Sequence, residues 1–492
     1  MSTKGQTLDH SFLDSAWESL SNDSQYKASR NAISKLDVLS VVENRDVIQE
    51  GDLHVYSNQV SKEGKCTSQK SSGRCWMFAM CNVMRVAMMK KYNLPDDFEL
   101  SQGFLFYYDK LERANYFLED MIATRSEPPS SRLVSHLVAG ANLIGDGGQW
   151  DMLINIVNKY GIVPKKAYPE TQSCVASRRM NQFLKNKLRQ YGCELRKMYE
   201  ANKSISEDDL RQKKFEYMNE YHKILSTFMG KPPTTFNWSF RDNKKNFHQF
   251  QNLTPLTFYQ DHVPLKADDY VSLIHDPRND YYKHYTVANL GNVQGGYPIR
   301  YINVPIDVLR ALTITAIDDD EPVWFGCDVG KSMHREAGLL HHNIYDFDSA
   351  FGTSFGMDKR ERLLYGESLM THAMVITAYD RVQLNNIDDN EKRNAPILGS
   401  TTNEKKDDGS TTTNDDEIKE QKIKKWRVEN SWGTDKGDKG YLSMSDEWFN
   451  QYVFQIAVHK KYLDKNLMNI LKQKPITLPA WDPMGALAKS MM

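Results

Sequence analysis

The chain has 492 residues, 26% charged and 40% hydrophobic, with a net charge of −1. That length suits about three domains around a sizeable core, and the charge balance excludes a global pull toward nucleic acid or an anionic membrane. No run reaches the ~18 apolar residues of a membrane span, and the six cysteines show no Cys-x2-Cys metal pairing, so neither metal nor cofactor is expected.

Residues 1–56 are polar, with helical patches at 11–20 and 28–41, and read as an N-terminal arm. They carry no apolar signal core and are too acidic for a typical transit peptide, so reduced thiols in the cytoplasm are expected. Residues 57–175 read as a mainly helical lobe. Within it, Gln69-Lys70-Ser71-Ser72-Gly73-Arg74 gives way at Cys75 to the apolar run Trp76 to Tyr92. The change predicts a buried helix that opens at Cys75. A thiol on a first turn faces the positive end of the helix dipole and unpaired N–H groups, which favours the nucleophilic thiolate. Further on, Leu100-Ser101-Gln102 starts a second helix, and Asp146-Gly147-Gly148 precedes another that ends near Gly161.

Residues 176–229 read as two long helices. Ser204 and Ser206, followed by Glu207, Asp208 and Asp209, mark a cap between them, and Gly230 ends the second. Residues 178–214 hold eleven Lys and Arg against five Asp and Glu, a run that usually makes a solvated helix face. Residues 234–320 are mixed and aromatic, and 176–320 together read as an inserted region serving assembly. A strand-rich lobe follows over 321–475, with a buried strand at 321–329 and others at 372–384, 423–430, 440–444 and 453–459. Inside it, residues 385–421 are rich in Asp, Asn, Thr, Lys and Glu. Such composition predicts a disordered insertion at a hairpin tip; its flanking strands can still pair, because closure cost rises slowly with loop length. Residues 476–492 form a C-terminal arm.

Two segments of the strand-rich lobe complete a chemistry with Cys75. His372 leads into the apolar run Ala373 to Tyr379, and Asn430 ends a short strand before Ser431-Trp432-Gly433. Cysteine, histidine and asparagine form a nucleophile, a base and an orienter. His372 would take the Cys75 proton and later protonate the leaving amine. Asn430 would accept the other ring N–H, fixing the tautomer without adding charge. Gln69 could project an amide N–H beside the Cys75 backbone N–H as an oxyanion hole. Trp432 could shield the His–Asn bond from water. His334, His341 and His342 lack carboxylates or cysteines at ligand spacing and read as loop histidines.

Gln-x5-Cys-Trp, Thr-His-Ala and Asn-Ser-Trp-Gly, in that order, resemble the papain superfamily of cysteine peptidases. The family's signature places a cysteine where this chain has Ser72; its loss fits a reducing compartment. His372 and Asn430 follow Cys75 by 297 and 355 residues, against about 130–150 in papain. With these insertions and the tail Leu478 to Lys489, the chain is similar to the bleomycin hydrolase branch. The resemblance implies a two-lobed papain-like α+β fold, a helical lobe plus a β-barrel-like lobe. It implies that Gly147 and Gly148 bind substrate backbone, with Trp432, Ala488 and Lys489 also in the substrate site. It implies a C-terminal arm in the cleft that restricts cleavage to peptides with free N-termini, a thioester acyl-enzyme, and a homohexameric ring. Some members of that branch bind nucleic acid through a basic channel, which makes residues 178–214 a candidate surface for single-stranded DNA or RNA. Ser490-Met491-Met492 extend beyond Lys489 and would have to be self-trimmed or accommodated. Two other readings remain: an endopeptidase with an open cleft, and a nucleic-acid-binding ring with secondary peptidase activity.

Overall fold

The computed structural model describes residues 5, 7–49, 52–139, 143–383 and 421–488. Its helices, in chain order, begin with α1 (His10–Asn22) and α2 (Ser24–Ile33). The helical lobe contributes α3 (Cys75–Tyr92), α4 (Gln102–Ala123), α5 (Arg132–Ala139) and α6 (Trp150–Tyr160). The long pair is α7 (Arg178–Ala201) and α8 (Glu207–Met229), and α9 is Ile306–Asp318.

Local chemistry explains where these helices stop and start. Helix α3 is buried on nearly all sides, as a core helix is, and Cys75 is its first residue. Its last turn carries Lys90 and Lys91, which complement the carbonyl end of the dipole, and Asn93 closes it in the left-handed conformation at φ 49°. Ser101 caps α4 by accepting from the Phe104 N–H, and Ser206 caps α8 by accepting from that of Asp209.

The strands are β1 (Asn58–Gln59), the hairpin β2 (Phe236–Arg241) and β3 (Phe247–Leu253), then β4 (Tyr270–Ile274), β5 (Lys283–Val287), β6 (Tyr301–Asn303) and β7 (Val323–Cys327). After them come β8 (Met333–His334), β9 (Leu339–Leu340), β10 (His372–Gln383), β11 (Gln421–Glu429), β12 (Tyr441–Ser445), β13 (Val453–His459) and β14 (Ile476–Leu478). Apart from the β2–β3 hairpin, they join one sheet ordered β14-β5-β6-β4-β13-β7-β10-β11-β12-β9-β8, with β1 on β10. Residues 270–303, placed by the sequence reading in the inserted region, therefore supply three strands to the sheet that carries His372. β10 and β11 remain paired out to Gln383 opposite Gln421, so Gln421, expected at the end of the insertion, is a strand residue; residues 385–420 of the expected disordered insertion lie outside the described residues.

The sheet separates two cores. One surrounds α3, where Trp76, Phe104, Trp150 and Leu184 pack with Trp324 of β7. The other lies between the sheet and α9, where Leu309 and Ile317 meet Phe325, Met374 and Trp426. Neighbours Trp324 and Phe325 enter opposite cores because side chains alternate along a strand. Arg85 of α3 crosses to Glu429 of β11, both fully buried, and ties the helix of Cys75 to the strand that ends at Asn430. Gly64 makes room for this pair, since a Cβ there would fall 2.4 Å from the guanidinium carbon. No helix among the described residues is long and apolar enough to cross a membrane.

Five of the eleven basic residues of 178–214 are engaged as follows. Lys187 pairs with Glu220, Lys213 with Glu216, and Arg211 and Lys214 with Glu119, while Arg196 donates to the carbonyls of Glu127 and Thr124. Of these contacts, Lys187–Glu220 joins α7 to α8, and the Glu119 pairs join α8 to α4.

Candidate active site

Cys75 is fully buried at the N-terminus of α3. The first N–H groups of a helix have no partner within it; here the intrahelical bonds begin with Met77 and Phe78, both donating to the Arg74 carbonyl. The cap residue, Arg74, makes no side-chain cap bond. Its guanidinium instead donates to the Ser72 hydroxyl at 2.9 Å and pairs with Glu170 at 2.7 Å.

His372 opens β10 and is fully buried. Its Nε2 lies 2.8 Å from Asn430 Oδ1. Asn430 Oδ1 also accepts the Ser431 backbone N–H at 2.7 Å, which orients the amide. Nδ1 of His372 has no hydrogen-bond partner among the described residues. With Asn430 accepting from Nε2–H, the tautomer leaves Nδ1 as the basic nitrogen. Burial lowers the imidazole to about 4, against the opposing pull of the Asn430 bond, so the ring is neutral at neutral pH. The Trp432 ring lies over His372 with centroids 5.0 Å apart and planes at 36°.

The register of the sheet brings this histidine toward α3. His372 sits opposite Cys327 of β7, and Cys327 is close enough to Cys75 for charge on one thiol to disfavour it on the other. Burial pushes the Cys66, Cys81, Cys174 and Cys327 thiols up, which keeps them protonated bystanders.

Gln69 is fully buried, and its amide is held at both ends. Oε1 accepts from the Ser431 hydroxyl at 2.7 Å, and Nε2 donates to the Ser72 carbonyl. The amide carries a second hydrogen beyond that bond. Backbone pairing aligns the segments, with the Gln69 N–H on the Ser431 carbonyl at 2.8 Å and the Gly433 N–H on that of Thr67 at 2.9 Å. The sequence signals no role for Ser431 beyond its place beside Asn430 in Asn-Ser-Trp-Gly.

Gly147 and Gly148 lie just before α6. The Gly147 carbonyl accepts from Arg113 at 2.7 Å. Gly148 packs against Trp76, so a Cβ there would lie 2.5 Å from the indole ring. The Gly148 N–H donates to the Ala488 carbonyl at 3.3 Å, an antiparallel bridge between the glycine pair and the chain's own C-terminal arm. The arm is anchored along its length. β14 runs parallel to β5, Arg278 pairs with Asp482 at 2.8 Å, and Arg132 stacks on Trp481 at 3.9 Å. Gln149 then donates to the Ala486 carbonyl at 2.5 Å. Lys489 and the extension Ser490-Met491-Met492 lie outside the described residues.

Among the described residues, no group of three or more His, Cys, Asp or Glu is arranged to hold a metal ion. His334 contacts the Glu43 carboxylate at 3.0 Å.

A peptidase C1-like family model matches residues 7–395 and 402–485. The chain is 43% identical over 480 residues to bleomycin hydrolase of Homo sapiens, covering 96% of this chain and 97% of that one. It is 41% identical over 430 residues to aminopeptidase C of Lactobacillus delbrueckii subsp. lactis, covering 86% of each. The crystal structure of PepW from Lactobacillus rhamnosis HN001 superposes with a TM-score of 0.87 at 40% identity, covering 98% of this chain and 99% of that one. With a papain-like α+β fold and this sequence similarity over nearly its whole length, the chain belongs to the peptidase C1-like family.

Proposed function

We propose that this cysteine peptidase removes amino acids from free peptide N-termini. The observation that carries the reading is the 2.8 Å bond from His372 Nε2 to Asn430 Oδ1, which leaves Nδ1, with no hydrogen-bond partner among the described residues, as the base. In the proposed cycle, His372 Nδ1 takes the Cys75 proton and the thiolate attacks the scissile carbonyl. The Cys75 N–H and the second Gln69 amide hydrogen receive the oxyanion. His372 returns the proton to the leaving amine, giving a thioester that water hydrolyses with the same histidine as base.

Specificity for free N-termini is supported by the Gly148–Ala488 bridge. A backbone amide suited to a substrate residue ahead of the scissile bond is taken by the arm, which shortens the cleft. The relatives named bleomycin hydrolase and aminopeptidase C support both an aminopeptidase and a bleomycin-type amide as a substrate. Assembly into a homohexamer, a cytoplasmic location and affinity for single-stranded DNA or RNA belong to the same proposal.

The test compares a fluorogenic single-residue substrate bearing a free amine with its N-acetylated form, beside Cys75→Ala. Cleavage of the free form alone, lost in the variant, is expected. Equal cleavage of both would make this an endopeptidase, and cleavage of neither would overturn the peptidase reading.

A further inference from the structure

The carboxylate of Asp146 receives four donors, one for each of its lone-pair sites. Lys110 Nζ at 2.8 Å and Asn181 Nδ2 at 2.6 Å reach Oδ1; the Gly73 backbone N–H at 3.0 Å and the Ser177 hydroxyl reach Oδ2. Its own carbonyl accepts from Trp76 Nε1 at 2.6 Å. Lys110 is fully buried and spends its two remaining hydrogens on the carbonyls of Ile144 and Gly145, at 2.9 Å each. Burial alone would raise the Asp146 carboxyl, but the Lys110 ammonium together with the Ser177 and Gly73 donors holds the group below the usual carboxylate range.

Asp146 thus joins parts of the chain with different duties. Gly73 lies two residues before Cys75, in the turn that aims the Cys75 N–H. Gly147 and Gly148 follow Asp146 directly. Ser177 and Asn181 belong to the start of α7, the long helix that the sequence assigned to assembly. Ser177 is the N-cap residue of α7, yet its side chain makes no cap bond to that helix and serves Asp146 instead.

We propose that Asp146 is a positioning residue for hydrolysis, tying the Cys75 turn and the Gly147–Gly148 segment to the start of α7, so that the inserted helix sets the geometry of acylation. The inference rests on the proposed roles of Cys75 and the glycine pair. A purely structural ion pair would stabilise the lobe without affecting one chemical step more than another. A positioning role separates two reactions of the same thiol. Amide hydrolysis needs the oxyanion donors and the backbone contacts, whereas alkylation by iodoacetamide needs only the thiolate.

Asp146→Asn is nearly isosteric but cannot satisfy the site. Whichever way the amide turns, its NH2 meets either Lys110 and Asn181 or the Gly73 N–H. The expected result is a loss of at least ~10-fold in kcat on the free-amine substrate, with a raised KM. Iodoacetamide should still inactivate the variant within about twofold of the wild-type rate. Asn181→Ala keeps the Asp146–Lys110 pair and should show the same split at about threefold in kcat; it carries the test if Asp146→Asn does not fold. Unchanged kcat in both variants, or alkylation falling in step with kcat, would overturn the proposal. A wild-type enzyme that alkylates at Cys75 but hydrolyses no amide would instead overturn the aminopeptidase reading.

Discussion

The Ser431 hydroxyl donates to the Gln69 amide oxygen at 2.7 Å, across 362 positions of sequence. The bond commits the oxygen end of the amide to the strand-rich lobe and turns the NH2 end toward the 69–75 loop. Gln69→Ala should lower kcat by on the order of 10²-fold, the loss typical of one oxyanion donor. Ser431→Ala removes only the orienting bond and should lower it by about 10-fold or less. Steady-state kinetics on the free-amine substrate would check both; a Ser431→Ala loss as large as that of Gln69→Ala would show that the hydroxyl does more than orient.

In the proposed cycle Asn430 fixes the tautomer of His372. In Asn430→Ala the Nε2–H loses its acceptor and the ring can turn or exchange its proton. A loss on the order of 10²-fold in kcat is expected, as for an impaired general base. NMR of the imidazole nitrogens would report the change of tautomer directly, and an unchanged spectrum would remove Asn430 from this role.

Gly148 has no space for a side chain. In Gly148→Ala the new methyl meets the Trp76 indole, which is pinned by the Asp146 carbonyl and covered by Arg113 at 5.6 Å. Overpacking of this kind costs about 1–3 kcal/mol. Thermal unfolding should show the lower stability, and hydrolysis should fall with it as the bridge to Ala488 is displaced.

The arm yields a gain-of-function prediction. Deleting residues 486–492 removes the carbonyls that occupy Gln149 and Gly148. The truncated enzyme should hydrolyse N-acetylated peptides that the full chain rejects. Intact mass spectrometry after incubation, wild type beside Cys75→Ala, tests the related expectation that active enzyme trims its own C-terminus; equal masses would reject trimming.

Two buried histidines predict an acid-labile fold. Burial lowers His275 to about 3, helped by the Lys359 cation and opposed by its bond to the Val304 carbonyl, and lowers His372 to about 4. An unfolded histidine titrates near 6.5. Below that pH the unfolded chain gains protons that the folded chain refuses, so this stability is complete above about 6.5 and declines as pH falls toward 4. By pH 5 each group accounts for roughly 2 kcal/mol of lost stability. The melting temperature should therefore fall between pH 7 and 5, with a shallower slope in His275→Gln; an equal slope would discount His275.

Much of this protein was legible in the order of its residues. The start of α3 at Cys75, the caps at Ser101 and Ser206, the end of α8 at Gly230 and the strands β7, β10, β11, β12 and β13 all follow from changes of periodicity or from a capping residue beside an apolar run. These are local effects, set within a few residues by backbone geometry and side-chain polarity. Cys75, His372, Asn430 and Gln69 were likewise visible as motifs. The tertiary structure alone decided which atoms they meet: Ser431 on the Gln69 oxygen, Asp146 on the Gly73 N–H, Ala488 on Gly148, and β4 to β6 inside the sheet of the strand-rich lobe. Such pairings join groups dozens to hundreds of residues apart, and they depend on sheet order and helix packing, which the periodicity of a single segment does not encode.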